Sequence, residues 1–277
     1  MTDHRHAARR AAFRKLHESG CFLIPNPWDA GSAHALAALG FKALATTSSG
    51  FAWSRAHADN TMDVEAVLAH CRDIVTATEL PVNADFEDGH ARDVDGLKKN
   101  VARCVETGVA GLSIEDSTGD AAQPLYDFGE AVARMRAARA AIDATGEDVM
   151  LIGRAECFLV GHADPLNESI KRLQAYAEAG ADCLYAPGVG KPEQIRAIVE
   201  AVAPKPVNVL VGRAGPYTLA DLAKLGVRRV SVGGALAGAA WGGFLRAARG
   251  LAEGRFDGFA DNATHAELNN LFGDRAA

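Results

Sequence analysis

Short apolar runs alternate with longer, alanine-rich amphipathic stretches along the whole chain. Eight of the runs read as strands: Cys21–Pro25, Ala43–Thr47, Pro81–Asp85, Gly111–Ile114, Val149–Arg154, Cys183–Ala186, Pro206–Val211 and Arg229–Val232. The stretches between them carry helical spacing, most clearly Met62–Thr78, Val94–Thr107, Phe128–Ala144 and Pro165–Ala179. Gly40, Gly108, Gly180 and Gly226 each fall where a helix would end in a left-handed cap before the next strand. Strict alternation predicts an all-parallel sheet with a helix in every crossover. An open doubly wound sheet has the same alternation. The count of eight, the lack of a GxGxxG after the first strand and the polar strand ends predict instead a closed (β/α)8 TIM barrel. The basic opening segment, residues 1–17, reads as a solvated surface helix, and the tail from about Gly254 as a short loop followed by a C-terminal helix.

Composition adds limits to this picture. At 277 residues, with 48% hydrophobic and 23% charged, the chain suits one barrel domain, and no linker divides it. A net charge of −6 provides no field for nucleic acid or anionic lipid, so an anionic substrate would need a metal or an arginine. Five scattered cysteines form no CxxC pair, which points to buried thiols in a reducing cytoplasm. No apolar run is long enough to span a membrane, and no signal-peptide core is present.

Parallel barrels carry their chemistry on the loops after the strands, and acids collect there. The third strand runs into Asp85-Phe86-Glu87-Asp88-Gly89-His90, and period-two alternation predicts Asp85 and Glu87 on one face with Phe86 opposite. The fourth strand ends with Glu115-Asp116. Paired carboxylates repel unless a cation lies among them, and an oxygen-only donor set suits Mg2+, with Mn2+ as its substitute. Asp88 and Asp116 read as solvated loop acids or helix N-caps. Arg154, ending the fifth strand, can grip a substrate carboxylate or pair with Glu156. Asn208, the polar residue of the seventh strand, can face substrate or satisfy the barrel interior. After the second strand, Ser48-Ser49-Gly50 would let backbone N–H groups approach an anion.

These segments, in this order, resemble the isocitrate lyase/phosphoenolpyruvate mutase superfamily over nearly the full length. The resemblance rests on Pro25-Asn26-Pro27-Trp28-Asp29-Ala30, Ser49-Gly50-Phe51, the Asn83–His90 run, Ile114-Glu115-Asp116 and Gly153-Arg154-Ala155-Glu156. It implies a Mg2+ or Mn2+ enzyme acting on a small 2-oxo or 2-hydroxy carboxylic acid through a metal-stabilised enolate. Carried over by position, Asp59, Asp85, Glu87 and Glu115 would form the metal site, directly or through water. Ser49, Gly50, Arg154, Asn208 and Trp28 would bind substrate, and Arg154, Glu115 and Asp59 would take part in catalysis. A homo-oligomer, dimer or tetramer, with the last helix swapped between subunits, is implied as well.

The departures narrow the chemistry. The lyases carry a Lys-Lys-Cys-Gly-His loop after the Glu-Asp, whereas Ser117–Leu125 contains no Lys, Cys or His. Glu87 replaces an Asp, and His90 stands where an aromatic is common. Cys157 reads as packing rather than as a replacement proton donor. A lyase whose product takes its proton from water, such as an oxaloacetate-type decarboxylase, is therefore the leading expectation. A phosphonate-linked mutase or C–P hydrolase and a catalytically inactive ligand-binding barrel are the alternatives.

Overall fold

A computed structural model describes residues 2–273. Eight parallel strands form one sheet: β1 (Phe22–Ile24), β2 (Leu44–Ala45), β3 (Val82–Asp85), β4 (Gly111–Glu115), β5 (Met150–Arg154), β6 (Cys183–Tyr185), β7 (Val207–Leu210) and β8 (Arg229–Ser231). Each lies within or beside its predicted run. The ladder is continuous from β1 through β8 and back to β2. Between β1 and β2 the gap is crossed by Ala45 N–H donating to Pro25 O at 3.0 Å. Asn26 strengthens that seam: its Nδ2 donates to Thr46 O at 2.8 Å, and its Oδ1 accepts from the N–H groups of Val232 and Gly233. The fold is the expected TIM barrel.

The helices are α1 (Thr2–Leu16), α2 (Ala30–Ala38), α3 (Ser48–Ser54), α4 (Val64–Ala77), α5 (Val94–Glu106), α6 (Phe128–Ala144), α7 (Pro165–Glu178), α8 (Pro192–Val202), α9 (Leu219–Lys224), α10 (Ala235–Ala252) and α11 (His265–Gly273). Asp29, Asp63, Asp93 and Asp164 cap α2, α4, α5 and α7 through their side chains, each closing an otherwise open backbone N–H. The four glycines expected after helices all have positive φ. In the tail, α11 lies against α2, where a ring nitrogen of His34 meets Leu271 O at 3.0 Å. Among the described residues no helix is long and apolar enough to cross a membrane, and the five cysteines are free, four of them buried.

Two apolar layers hold the barrel. The larger lies between strands and helices and contains Leu68, Phe86, Leu112, Met135, Cys157 and Tyr176. The smaller fills the barrel's N-terminal end with Ile24, Ala43, Met150, Ile152 and Cys183, and Phe13 of α1 enters it. The first helix therefore differs from the expected solvated element. Phe13 is fully buried, and Arg9 and Arg10 are 6% and 3% exposed. Arg9 donates to Val75 O at the end of α4, and Arg10 to Val105 O at the end of α5. Cations at helix C-termini are favoured by the dipole and satisfy orphan carbonyls. Gly111 has no room for a side chain: a Cβ would stand 2.7 Å from Phe13 Cε1 and 2.8 Å from Asn83 Oδ1. Above this layer the barrel interior turns polar, with Asn83, Ser113, Asn208, Arg229 and Ser231 all buried.

Candidate active site

A cavity of about 140 Å³ opens at the C-terminal ends of the strands, lined by Thr46, Ser48, Ser49, Asp59, Asp85, Ser113, Arg154 and Tyr185, with Arg229 and Ser231 beneath. Beside it runs a wider groove lined by Asp59, Glu87, Asp88, His90, Glu115 and Ser117. Asp85 faces the cavity, Glu87 and Glu115 face the groove, and Asp59 borders both.

Arg154 joins the two sides. Its Nη1 lies 3.1 Å from Asp85 Oδ1 and 3.0 Å from Glu115 Oε2, and its Nε pairs with Glu156. Burial works against the charge on this guanidinium, but Glu115, Glu156 and Asp85 outweigh it and hold its pKa well above the ordinary value. The pairing with Glu156 and the contact with the acidic rim thus occur together. Asp85 is fixed from three sides: its backbone N–H donates to Thr46 Oγ1 at 2.8 Å, and its Oδ2 accepts from Ser48 N–H at 3.2 Å opposite the Arg154 contact.

Glu87 arrives by a different route from the one alternation predicts. β3 stops at Asp85, and Glu87 sits in the left-handed region at φ +48, followed by Gly89 and His90 at φ +84 and +52. A non-glycine residue there is an uncommon conformation that clusters at functional sites. The turn sends Phe86 into the core, as expected, and Glu87 into the groove, 4.0 Å from His90 Nδ1. Burial first, then Asp85, Asp59 and Asp88, push the Glu87 carboxyl up to about 8. Burial likewise raises Glu115 well above the carboxylate range, against the pull of Arg154. Burial and the neighbouring Asp85 also raise Asp59.

A raised carboxyl pKa has a measurable sign. Between the unfolded value near 4.5 and the folded value near 8, the folded protein holds a proton at Glu87 that the unfolded chain has lost. The stability of metal-free protein is therefore expected to fall as pH rises through that window, as read by thermal melts. A divalent cation added at pH 8 is expected to restore part of the loss.

The donors suit a hard divalent cation in kind and in charge: several carboxylates, oxygen donors only, face one guanidinium, and burial pushes two of them above the usual carboxylate range. Among the described residues, however, no three His, Cys, Asp or Glu side chains form a ready-made coordination sphere. Arg154 stands between Asp85 and Glu115, and Glu87 turns towards His90.

The remaining expected residues are spread more widely. Ser49 lines the cavity, its Oγ 3.2 Å from Thr47 Oγ1. Gly50 lies behind the cavity wall: its N–H caps α3 through Thr47 Oγ1 at 3.3 Å, and an added Cβ would meet Thr47 Cγ2 at 2.7 Å and the Trp28 and Ala237 side chains at 3.0 and 3.1 Å. Gly50 is thus required for close packing. Gly50→Ala is expected to cost about 1–3 kcal/mol through overpacking, seen as an earlier denaturation midpoint. Trp28 faces outward, towards Trp241 and Phe244 of α10, away from the cavity. Asn208 is fully buried below the cavity, with its Oδ1 accepting from Arg229 Nε at 2.9 Å and its Nδ2 donating to Ser231 Oγ at 3.0 Å. It reaches the cavity only through those two partners. Asp88 accepts from Tyr126 OH at 2.8 Å and Asp116 from Tyr176 OH at 2.6 Å, so both tie elements together rather than standing in solvent or capping a helix as expected.

A family model described as phosphoenolpyruvate phosphomutase matches residues 13–252, a span that contains the whole barrel and every residue of this site. The chain belongs to the phosphoenolpyruvate phosphomutase family. Within reach of this phosphomutase-family chain is a Mycobacterium tuberculosis H37Rv protein, 33% identical over 245 residues that cover 88% of this chain and 90% of the relative. An oxaloacetate decarboxylase of Pseudomonas putida GB-1 is 30% identical over 234 residues, 81% of this chain and 78% of the relative. Among solved structures, a protein described as a lyase/mutase from Burkholderia cenocepacia J2315 superposes with a TM-score of 0.94 at 44% identity, covering 98% of each chain. Oxaloacetate acetylhydrolase in complex with oxalate gives a TM-score of 0.85 at 25% identity over 97% of this chain and 94% of that one.

Thr46, Tyr185 and Arg229 were not singled out from the sequence. For Arg229 a signal existed: Arg229 and Ser231 alternate with Val230 and Val232 along β8, so two polar side chains face the barrel interior.

Proposed function

We propose that this phosphomutase-family chain is a divalent-metal-dependent lyase, with Mg2+ or Mn2+ as cofactor, that cleaves or decarboxylates a small 2-oxo or 2-hydroxy carboxylic acid of the oxaloacetate type. The observation that carries the reading is the cluster of acids round Arg154 at the cavity mouth, where burial pushes Glu87 and Glu115 above the usual carboxylate range. Asp85, Glu87 and Glu115, with Asp59 through water, would hold the cation, which when bound supplies Lewis-acid polarisation of the 2-oxygen, worth several kcal/mol. Arg154 and the Ser49 hydroxyl orient the acid within the cavity. The loop after β4 folds back on itself, with Ser117 bridged to Leu125 and Thr118 N–H donating to Pro124 O. It carries no thiol, imidazole or amine to deliver a proton, so the product is protonated by water. This favours decarboxylation, as does the name of the Pseudomonas putida relative.

The test is turnover of oxaloacetate and related 2-oxo and 2-hydroxy acids with and without Mg2+. Carbon dioxide or pyruvate release that depends on the metal is expected, and no metal-dependent turnover across the panel would sink the reading. The second reading is a phosphonate-linked mutase or C–P hydrolase, supported by the likeness to a phosphonomutase structure from Burkholderia cenocepacia J2315 at 36% identity and a TM-score of 0.78. Phosphorus NMR of phosphonopyruvate with the enzyme separates the two.

We also propose that the chain works as a homo-oligomer in the cytoplasm. Trp241, Phe244, Leu245, Leu251 and Phe256 leave a broad apolar face on and after α10, with Phe244 59% and Phe256 72% exposed. Such a face marks an association surface. Light scattering is expected to give a dimer or tetramer mass, and Phe244→Asp to lower it.

A further inference from the structure

We infer that Arg229 is an anion-binding residue on the floor of the active-site cavity, where it receives an oxyanion group, carboxylate or phosphonate, at the deep end of the ligand. The inference deepens the proposed function and rests on it for the assignment of the mouth as the reacting end.

Arg229 is the first residue of β8 and only 2% exposed. Its neighbours along the hydrogen-bonded row are Asn208 in β7 and Phe22 in β1. Its two protein acceptors are neutral amides: Nε donates to Asn208 Oδ1 at 2.9 Å, and Nη1 reaches Asn83 Oδ1 at a long 3.5 Å. Among the described residues no carboxylate forms an ion pair with it, and burial lowers its pKa.

The other buried arginines are treated differently. Arg9 pairs with Glu79 and Arg10 with Glu147, and both also reach helix-end carbonyls. Arg134 donates to three backbone carbonyls and lies 3.7 Å from Asp88. Arg172 pairs with Asp116 and Glu168. A buried cation without a counter-ion is costly, and proteins normally match it. Arg229 is left unmatched, and the side on which it is unmatched is the cavity. It lines that space, and its Nη2, which donates to no described residue, is not sealed in the interior.

Arg154, at the mouth, is less free than Arg229. Asp85, Glu115 and Glu156 already engage its Nη1 and Nε, so an incoming anion finds most of its donors taken. The less engaged guanidinium of this cavity is therefore at its floor. Asn208 and Asn83 fix the plane of the guanidinium, and Ser231 and Ser113 line the same space with hydroxyls. A volume of about 140 Å³ suits a short acid that carries one charged group at the mouth and another at the floor. In that arrangement Arg229 selects dianionic over monoanionic ligands.

The experiment is calorimetric titration of metal-free wild type and Arg229→Met with malonate, succinate and methylphosphonate. Wild type is expected to bind at least one of the three, and which of them it binds distinguishes carboxylate from phosphonate at the floor. Arg229→Met is expected to weaken that binding at least about tenfold, the cost of removing one charge-assisted contact. If the Met variant does not fold, Arg229→Lys, which keeps the charge and loses the planar fork, is expected to weaken binding by a smaller factor. Affinity unchanged in whichever variant folds, or wild type that binds none of the probes in the millimolar range, overturns the inference. The two readings fail separately. Loss of metal-dependent turnover in wild type with Arg229-dependent anion binding intact would remove the lyase alone. Full turnover with anion binding indifferent to Arg229 would remove the floor site alone.

Discussion

Asp85→Asn is expected to abolish metal-dependent turnover while leaving a folded barrel. The substitution removes the one carboxylate that faces the cavity from the end of β3 with a fixed orientation, held by Thr46, Ser48 and Arg154. If it loses the several kcal/mol that a Lewis acid contributes, the rate falls by roughly 10³-fold or more. The fold should survive because Arg154 keeps Glu115 at 3.0 Å and its pairing with Glu156. Arg154 then faces two acids instead of three. The measurements are steady-state oxaloacetate consumption with Mg2+, metal binding by calorimetry, and a melt to verify the fold. Wild-type turnover in the variant would remove Asp85 from the chemistry.

Asp116→Ala is expected to cause the largest loss of stability. The carboxylate is 3% exposed and ties two other elements to the end of β4. It accepts from Tyr176 OH at 2.6 Å and Arg172 Nη1 at 3.0 Å, both on α7, and from the backbone N–H of Glu156 after β5 at 2.8 Å. Removing it strands a buried phenol, a buried amide and part of a buried guanidinium, and breaking a buried charge pair of this kind costs about 3–5 kcal/mol. Urea denaturation should show the midpoint move by a corresponding amount. Asp116→Asn keeps an acceptor in place and is expected to lose less. Equal losses in the two variants would mean that charge, not hydrogen bonding, carries the effect.

The barrel was legible because its signal is local. Each strand declares itself by a run of apolar residues and each helix by its spacing, and both are complete within a window of the sequence. The site was legible where a residue's position along a strand fixes its direction, as for Asp85 and Arg154 at the last positions of β3 and β5. It was less so where direction depends on a backbone torsion or a distant neighbour. Glu87 was assigned to its face by extending the β3 alternation, but the chain turns left-handed at that residue and reaches the groove by another path. Gly50 was expected to present its N–H to a ligand, yet that N–H is taken by Thr47, and the need for glycine comes from Trp28 and Ala237. Asn208 and Arg229 explain one another across two strands, and neither can be understood from its own segment. The first helix misled for a similar reason: its arginines are solvated when α1 is drawn alone and buried once α4 and α5 end beneath them.

That helix also constrains the order in which the molecule can be completed. Arg9 and Arg10 bind groups 66 to 137 positions later in the chain, and Arg14 binds Asp182, 168 positions on. During synthesis α1 is made before any of these partners exists. Its contacts are completed only once Asp182, just before β6, is present. Closing so long a loop carries an entropic cost, so the N-terminal end of the barrel is held by contacts between residues far apart in the chain.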